Sequence, residues 1–363
     1  MKNTSYHVIG LMSGTSLDGV DLAYCVFTYE KQNWIYKILN TTTFSYSTEW
    51  EQLLLRAMQL SGAELTTTDR VYGRFLGELV KKFITENNLK PDFISSHGHT
   101  IFHVPEQNLT LQIGHGAYLA AAAGLPVVCD FRSLDIALGG QGAPLVPIGD
   151  HLLFHQYNLC LNLGGIANIS FLAGGQRAAY DICACNMLLN TLANQLDLPY
   201  DRDGEIAQTG SLATDLLQQL NSANYFQTPY PKSLGKEWVD QNSLAMLQEA
   251  NLSVADKLQT ACQHIADQIA ASVQSISSGS APAQMLVTGG GALNTYLIML
   301  IRKAVGSQIN VVVPELELIN FKEALIFGFL GVLRWEQQPN CLSSVTGARY
   351  DNIGGAIYNG SKN

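Results

Sequence analysis

Short apolar runs at strand spacing alternate along the chain with longer stretches at helical spacing. Residues 6–9 and 20–27 are β-prone and flank a turn of small residues, Gly10-Leu-Met-Ser-Gly14-Thr-Ser-Leu-Asp18-Gly19-Val-Asp21. That pattern predicts a hairpin, with Gly14 and Gly19 allowing the tight tip. A third strand is expected over 34–44 and helices over 50–60 and 68–87, the second with Val71, Phe75, Leu79 and Phe83 on one face. Strands at 91–101, 109–113 and 125–129 enclose a small-residue helix at 115–124. The second half repeats the opening: strands at 158–163 and 169–172 flank Gly164-Gly165-Ile-Ala-Asn168, which suggests an internal duplication. Asp181 is read as opening a helix to about residue 196, and a polar stretch follows over 201–238. A long helix over 256–277 aligns Leu258, Cys262, Ile265, Ile269 and Val273. A strand at 285–288 ends in Gly289-Gly-Gly291-Ala-Leu-Asn294 and leads into another helix, with a strand at 311–313 and a helix at 322–335 beyond.

Strands alternating with helices, together with two glycine-tipped hairpins, predict an α/β protein of two domains with mixed sheets facing across a cleft. The expected division is 1–131 plus 346–363 against 132–345. At 363 residues both halves are long enough to bury a core. With 47% hydrophobic and 14% charged residues, disorder is excluded. A net charge of -9 argues against a nucleic-acid partner, since a phosphate backbone demands a basic footprint. The 7 cysteines are scattered and lie mostly in apolar runs, which reads as buried thiols in a reducing compartment. The start of the chain lacks a signal-peptide core, and the longest apolar stretch, 116–129, is too short for a bilayer. A cytoplasmic protein without a membrane partner is expected.

The candidate chemistry gathers at the glycine turns. Three of them, at 14–19, 164–165 and 289–291, each follow an apolar strand. One alone reads as a surface turn; three suggest a nucleotide clamp, against the plainer reading of three unrelated turns. The first is not a Walker loop, because no Gly-Lys-Ser/Thr follows it. The expected nucleotide-binding set is Ser13, Gly14, Thr15, Ser16, Asp18, Gly19, Gly164, Gly165, Asn168, Gly289, Gly290, Gly291 and Asn294. Asp18 is the expected metal ligand, with Asp21 pointing from the same hairpin as its competitor. Asp181 before a helical run is either an N-cap or, kept ionised by the helix N-terminus, a general base. His97, His99, His103 and His115, with Asp130, allow a metal-site alternative; otherwise they hydrogen-bond substrate or backbone. Arg132 could pair with Asp130 or Asp135, and Glu323 reads equally well as an exposed helix charge.

Taken together these motifs resemble the anhydro-N-acetylmuramic acid kinase family. The resemblance rests on residues 10–21, His97-Gly-His-Thr100, Thr110-Leu-Gln-Ile-Gly114, Asp130-Phe-Arg132 and Gly139-Gly-Gln-Gly-Ala-Pro-Leu-Val-Pro147. It continues through Asn162-Leu-Gly-Gly-Ile-Ala-Asn-Ile169, Pro231-Lys-Ser-Leu-Gly-Lys-Glu237, Gly289-Gly-Gly-Ala-Leu-Asn294, Glu323-Ala324 and Thr346-Gly-Ala348. It implies two actin-like ATPase domains of the sugar kinase, actin and heat-shock ATPase superfamily, ATP and Mg²⁺ as cofactors, and a homodimer. The implied reaction takes ATP, water and 1,6-anhydro-N-acetylmuramic acid to ADP and N-acetylmuramic acid 6-phosphate. It also implies Asp181 as the base, and His97, Thr100, Arg132 and Glu323 around the sugar. Three segments depart from the family pattern: Asp181-Ile-Cys-Ala-Cys-Asn186, His99 in place of Gln, and His115-Gly116 in place of Asp-Pro. All three fall on the expected sugar side, so a related anhydro sugar and a nucleotide-binding module stand as alternatives.

Overall fold

The computed structural model describes residues 5–14, 17–276 and 283–360. Thr15 and Ser16, both expected at the nucleotide, lie outside the described residues. The strands are β1 (Ser5–Ser13), β2 (Val20–Glu30), β3 (Asn33–Phe44), β4 (Phe93–Val104), β5 (Leu109–Ile113) and β6 (Val127–Cys129). Then come β7 (Leu159–Leu163), β8 (Ile166–Ala173), β9 (Gln176–Ala184), β10 (Ala283–Thr288), β11 (Ile309–Val312) and β12 (Ala356–Tyr358). They form two mixed sheets, ordered β12-β6-β4-β1-β2-β3, with β5 also on β4, and β11-β10-β7-β8-β9.

The two sheets share one plan. In the first, β4 lies parallel to both β6 and β1, and β1, β2 and β3 form an antiparallel meander. In the second, β10 lies parallel to both β11 and β7, and β7, β8 and β9 form the same meander. The crossover helices also correspond: Gly62–Asn87 precedes β4 and Val254–Ile276 precedes β10. The duplication suggested by two glycine-tipped hairpins thus extends through five strands and their crossovers.

The chain divides into two compact units, Met1–Phe154 with Phe321–Asn363, and His155–Asn320. These bounds differ from the expected 131/132 and 345/346. Residues 132–154 and 321–345 stay with the first sheet because their packing partners are there. On helix Leu316–Trp335, Gly328 touches Gly10 of β1, and a Cβ at Gly331 would lie 2.6 Å from the Cβ of Ser95 in β4. Lys322 pairs with Asp150 at 2.8 Å, both nearly fully buried.

Two expected elements shift. On helix Gly62–Asn87 the buried stripe is Thr68, Tyr72, Leu76, Val80 and Phe83, whereas Val71 is 51% exposed. Stripes one residue apart have equal helical spacing, and contact with Tyr46 and His99 decides for Tyr72. Asp181 opens no helix: it lies inside β9, and the helix runs from Asn186 to Ala193 with Cys185 as an N-cap whose side chain makes no capping bond. Pairing with β8 extends the strand through the apolar Ile182-Cys183-Ala184.

The tightest packing in the first unit is at Gly10. A Cβ there would lie 1.9 Å from the Ala324 carbonyl oxygen and 2.9 Å from the Gly328 nitrogen, both backbone atoms that cannot rotate away. Gly10→Ala is expected to cost at least ~2 kcal/mol and lower the midpoint of thermal unfolding by at least ~4 °C. Gly62→Ala, at a helix start with open space around it, should be neutral or slightly stabilising. Calorimetry of the two variants measures both effects.

Candidate functional site

In the first unit the β1–β2 hairpin carries Ser13 at the end of β1 and Asp18, Gly19 and Asp21 on the return. Gly19 has φ +155°, and a Cβ there would lie 2.5 Å from the Phe44 carbonyl oxygen, so glycine is required for the return past β3. Ser13 is buried rather than presented at the tip. Its Oγ lies 2.6 Å from the Tyr46 hydroxyl and 2.9 Å from His99 Nδ1, and Tyr46 in turn lies 2.5 Å from the Tyr72 hydroxyl. Burial holds His99 at about 4, below its ordinary 6.5, so it is neutral. The Thr43 hydroxyl donates to Asp21 Oδ1 at 2.5 Å. Burial raises the Asp21 carboxyl, Thr43 counteracts this, and the charge of Asp18 adds to the rise.

Around β4 the structure brings together three of the four expected sugar residues. Arg132 Nε and Nη2 lie 3.1 and 2.9 Å from His97 Nε2. A guanidinium only donates, so Nε2 must accept; the ring proton is therefore on Nδ1, which donates to the Gly98 carbonyl at 3.0 Å. Burial, and secondarily the charge of Arg132, pushes His97 well below 6.5 and keeps it neutral. Burial lowers Arg132 to about 10, with Glu323 opposing that shift. Glu323 is itself accessible to solvent, yet the protein around it raises its carboxyl while Arg132 and Lys322 pull it down. Arg132 therefore bonds His97 and feels Glu323; neither Asp130 nor Asp135 takes it as a salt-bridge partner. Thr100, also on β4, shows no bond to these three; its hydroxyl accepts from the Gln112 amide on β5 at 3.4 Å.

In the second unit the turn Gly164–Gly165 joins β7 to β8. Its carbonyls accept from Asn186 and Cys185, at 3.1 and 2.8 Å, so the tip faces the start of helix Asn186–Ala193. The C=O and N–H of a trans peptide point in opposite directions, so the Gly165 N–H points away from that helix start. Gly289, at φ +82°, packs beside this turn: a Cβ would lie 2.5 Å from Asn162 Oδ1 and 2.8 Å from the Leu163 carbonyl carbon. Two of the three glycine turns thus meet through the β7–β10 pairing. The third run does not begin a helix directly. Residues Gly290–Leu293 form a 3₁₀ turn, and helix Thr295–Val305 follows, capped by Asn294, whose Oδ1 accepts from Leu297 N at 2.9 Å.

Asp181 sits opposite Asn168 across the β8–β9 ladder, half-buried. Its Oδ2 accepts from the Leu234 N–H at 3.0 Å, and its carbonyl accepts from the Tyr225 hydroxyl at 2.6 Å. Burial raises its carboxyl above 3.8 and the Leu234 N–H opposes that rise. The cap reading is excluded by its place in the strand, and so is activation by a helix N-terminus. Burial does the tuning instead. Leu234, Tyr225 and Lys232 were not assigned from sequence; the only local signal was the Pro231-Lys-Ser-Leu-Gly-Lys motif. The histidine alternative disperses: His103 Nδ1 faces Thr110, and His115 accepts from Ala117 N at the start of its own helix. Among the described residues no three His, Cys, Asp or Glu come together as a metal site.

The sequence profile described as "Anhydro-N-acetylmuramic acid kinase" matches residues 6–360. A protein of that name from Methylobacterium nodulans is 36% identical, over 96% of this chain and 98% of its own length. Another of that name, from Sulfurimonas denitrificans, is 34% identical with the same shares, and one from Shewanella pealeana is 34% identical over 98% and 99%.

The buried His99 gives the protein a pH dependence of known sign. Its pKa is lower folded (about 4) than unfolded (6.5), so the unfolded chain takes up the proton first. This contribution to stability is present above pH 6.5 and is lost as the pH falls from 6.5 to about 4, up to ~3 kcal/mol. His99→Gln, which cannot titrate, should flatten the fall in unfolding midpoint over that interval; a slope equal to the parent's would contradict the assignment.

Proposed function

Because the chain belongs to the anhydro-N-acetylmuramic acid kinase family, we propose that it hydrolytically opens 1,6-anhydro-N-acetylmuramic acid and phosphorylates the 6-hydroxyl from ATP, in cell-wall recycling. The observation that carries the mechanism is the Asp181 carboxylate, half-buried, anchored by one backbone N–H and raised above the ordinary range. Such a group is a competent general base, because burial makes its proton affinity higher than a solvated carboxylate's.

Asp181 takes a proton from water as the water oxygen bonds to the anomeric carbon. The anomeric carbon's bond to the bridging oxygen breaks, and the electron pair goes to the 6-oxygen. That oxygen bonds to the γ-phosphorus as the bond to the ADP oxygen breaks, and Asp181 releases its proton to solvent. The products are ADP and N-acetylmuramic acid 6-phosphate. His97, Thr100, Arg132 and Glu323 bind the sugar in this reading. The hairpin at Ser13–Gly19 and the turns at Gly164–Gly165 and Gly289–Gly291 hold the nucleotide, with Asn168 and Asn294 flanking them.

Two carboxylates on one hairpin, Asp18 and Asp21, are the hard-oxygen donors that suit Mg²⁺, which binds through one or two carboxylates plus substrate phosphates. When bound there, Mg²⁺ would neutralise phosphate charge. Thr43 holds Asp21 Oδ1, so Asp21 is oriented for this role and Asp18 is the more accessible partner. A cytoplasmic homodimer completes the proposal. All seven cysteines are buried thiols outside any disulfide, in keeping with a reducing compartment. Among the described residues no helix is long and apolar enough to cross a membrane.

Incubation with ATP, Mg²⁺ and the anhydro sugar in oxygen-18 water should give a sugar phosphate carrying the label at the anomeric position. An unlabelled product would sink the hydrolytic reading, and no product at all would leave the nucleotide-binding module. Asp181→Asn should retain ATP binding by calorimetry and lose at least ~10³-fold in kcat.

The base must be ionised to work, so protonation removes activity. The acidic limb of kcat/KM for the parent enzyme should therefore lie above pH 3.8, the ordinary aspartate value.

A further inference from the structure

Asp135 is fully buried, on the short helix Ser133–Ala137, and no step above uses it. Its oxygens divide their work. Oδ1 accepts from three neutral donors of the C-terminal segment: Cys341 Sγ at 3.0 Å, Thr346 Oγ1 at 2.9 Å and Asn352 Nδ2 at 2.8 Å. Oδ2 accepts from the Gly142 N–H at 2.8 Å. The Gly142 carbonyl then accepts from Arg132 Nη1 at 2.6 Å, and the other two nitrogens of that guanidinium reach His97 Nε2. The loop is shaped for this contact. A Cβ at Gly140 would lie 2.3 Å from Asp135 Oδ2, and Gly142 sits at φ +66°, where glycine is favoured.

Arg132 reaches His97 with only Nε and Nη2, and two bonds from one edge leave the guanidinium free to pivot about that contact. The third bond, from Nη1 to Gly142, removes the pivot. Gly142 is itself a mobile kind of position, a glycine in a glycine-rich loop, and the Oδ2 contact is what fixes it. We propose that Asp135 is a positioning residue: acting through Gly142, it sets the orientation of Arg132 and, with it, the hydrogen bond to His97. The C-terminal segment at 341–352 thereby takes part in the geometry of the sugar-side residues, through contacts that span 206 to 217 positions in sequence.

The choice of variants follows from the division of the oxygens. In Asp135→Asn the amide oxygen stays with the three donors, and its NH₂ then faces the Gly142 N–H, donor against donor, so that bond breaks. Thr346→Val removes one donor from Oδ1 and leaves the Gly142 bond intact. Imidazole ¹⁵N spectra of the full-length protein, with His97 assigned by a His97→Gln variant, read the relay without substrate. In Asp135→Asn the His97 Nε2 resonance should move toward that of an unbonded acceptor nitrogen; in Thr346→Val it should stay. An unmoved resonance in Asp135→Asn, or an equal movement in Thr346→Val, overturns the proposal, the second because a general loosening would then explain it.

Kinetics add a second reading that rests on the assignment of Arg132 to the sugar. Asp135→Asn should raise KM for the anhydro sugar about tenfold or more with KM for ATP unchanged, and Arg132→Lys should add little further loss to it. A shifted His97 resonance with an unchanged sugar KM supports the relay and overturns the assignment of Arg132 to the sugar.

Discussion

The first unit depends on one close approach: the backbone of helix Leu316–Trp335 lies directly on β1 at Gly10. Two backbones can touch only where side chains are absent, and this seam uses Gly10, Gly328 and Gly331, with Ser95 on β4. Contact at this distance fixes the rotation and axial register of the helix together. Glu323, one residue before Ala324, is thereby placed where its charge is felt by Arg132 and Asp21. The β1–β2 hairpin leaves from the same strand. One packing contact thus sets the position of an acidic residue proposed to bind the sugar and of the hairpin proposed to hold the nucleotide.

That contact also explains why the chain divides where it does. Pinned to β1, residues 321–335 of that helix belong to the first unit although they follow β11, whereas its first turn, 316–320, stays with the second. The expected boundaries followed the order of motifs along the chain. The observed ones follow packing, and the ion pair of Lys322 with Asp150 binds residues 146–152 to the same unit.

Elements defined by local pattern were legible in the sequence. The glycine-tipped hairpins are where apolar runs and small residues put them, and the buried face of helix Val254–Ile276 carries all five expected residues. What escaped depends on partners distant in sequence. Val71 and Tyr72 begin equally good helical stripes, and only the aromatic neighbours of Tyr72 separate them. Asp181 before a helical run has the local signature of a cap, and only the ladder with β8 places it in a strand. The bond between His97 and Arg132 spans 35 residues and leaves no periodic trace. Ser13 was expected at the nucleotide, but its hydroxyl is turned inward to Tyr46 and His99.

Moving Asp181 from a helix start to a strand interior changes how its chemistry must be understood. A helix dipole favours the charged form and would lower the carboxyl, giving a weaker base. Burial works in the opposite direction, and the single N–H of Leu234 offsets only part of it. A strand also holds the side chain more rigidly than a frayed helix end, because its backbone is bonded on one side to β8 and on the other to Lys232. The departure from the family pattern after Asp181 reads accordingly. Ile182, Cys183, Ala184 and Cys185 are all buried among the core of the second unit. The altered side chains are thus packed into that interior rather than exposed to solvent.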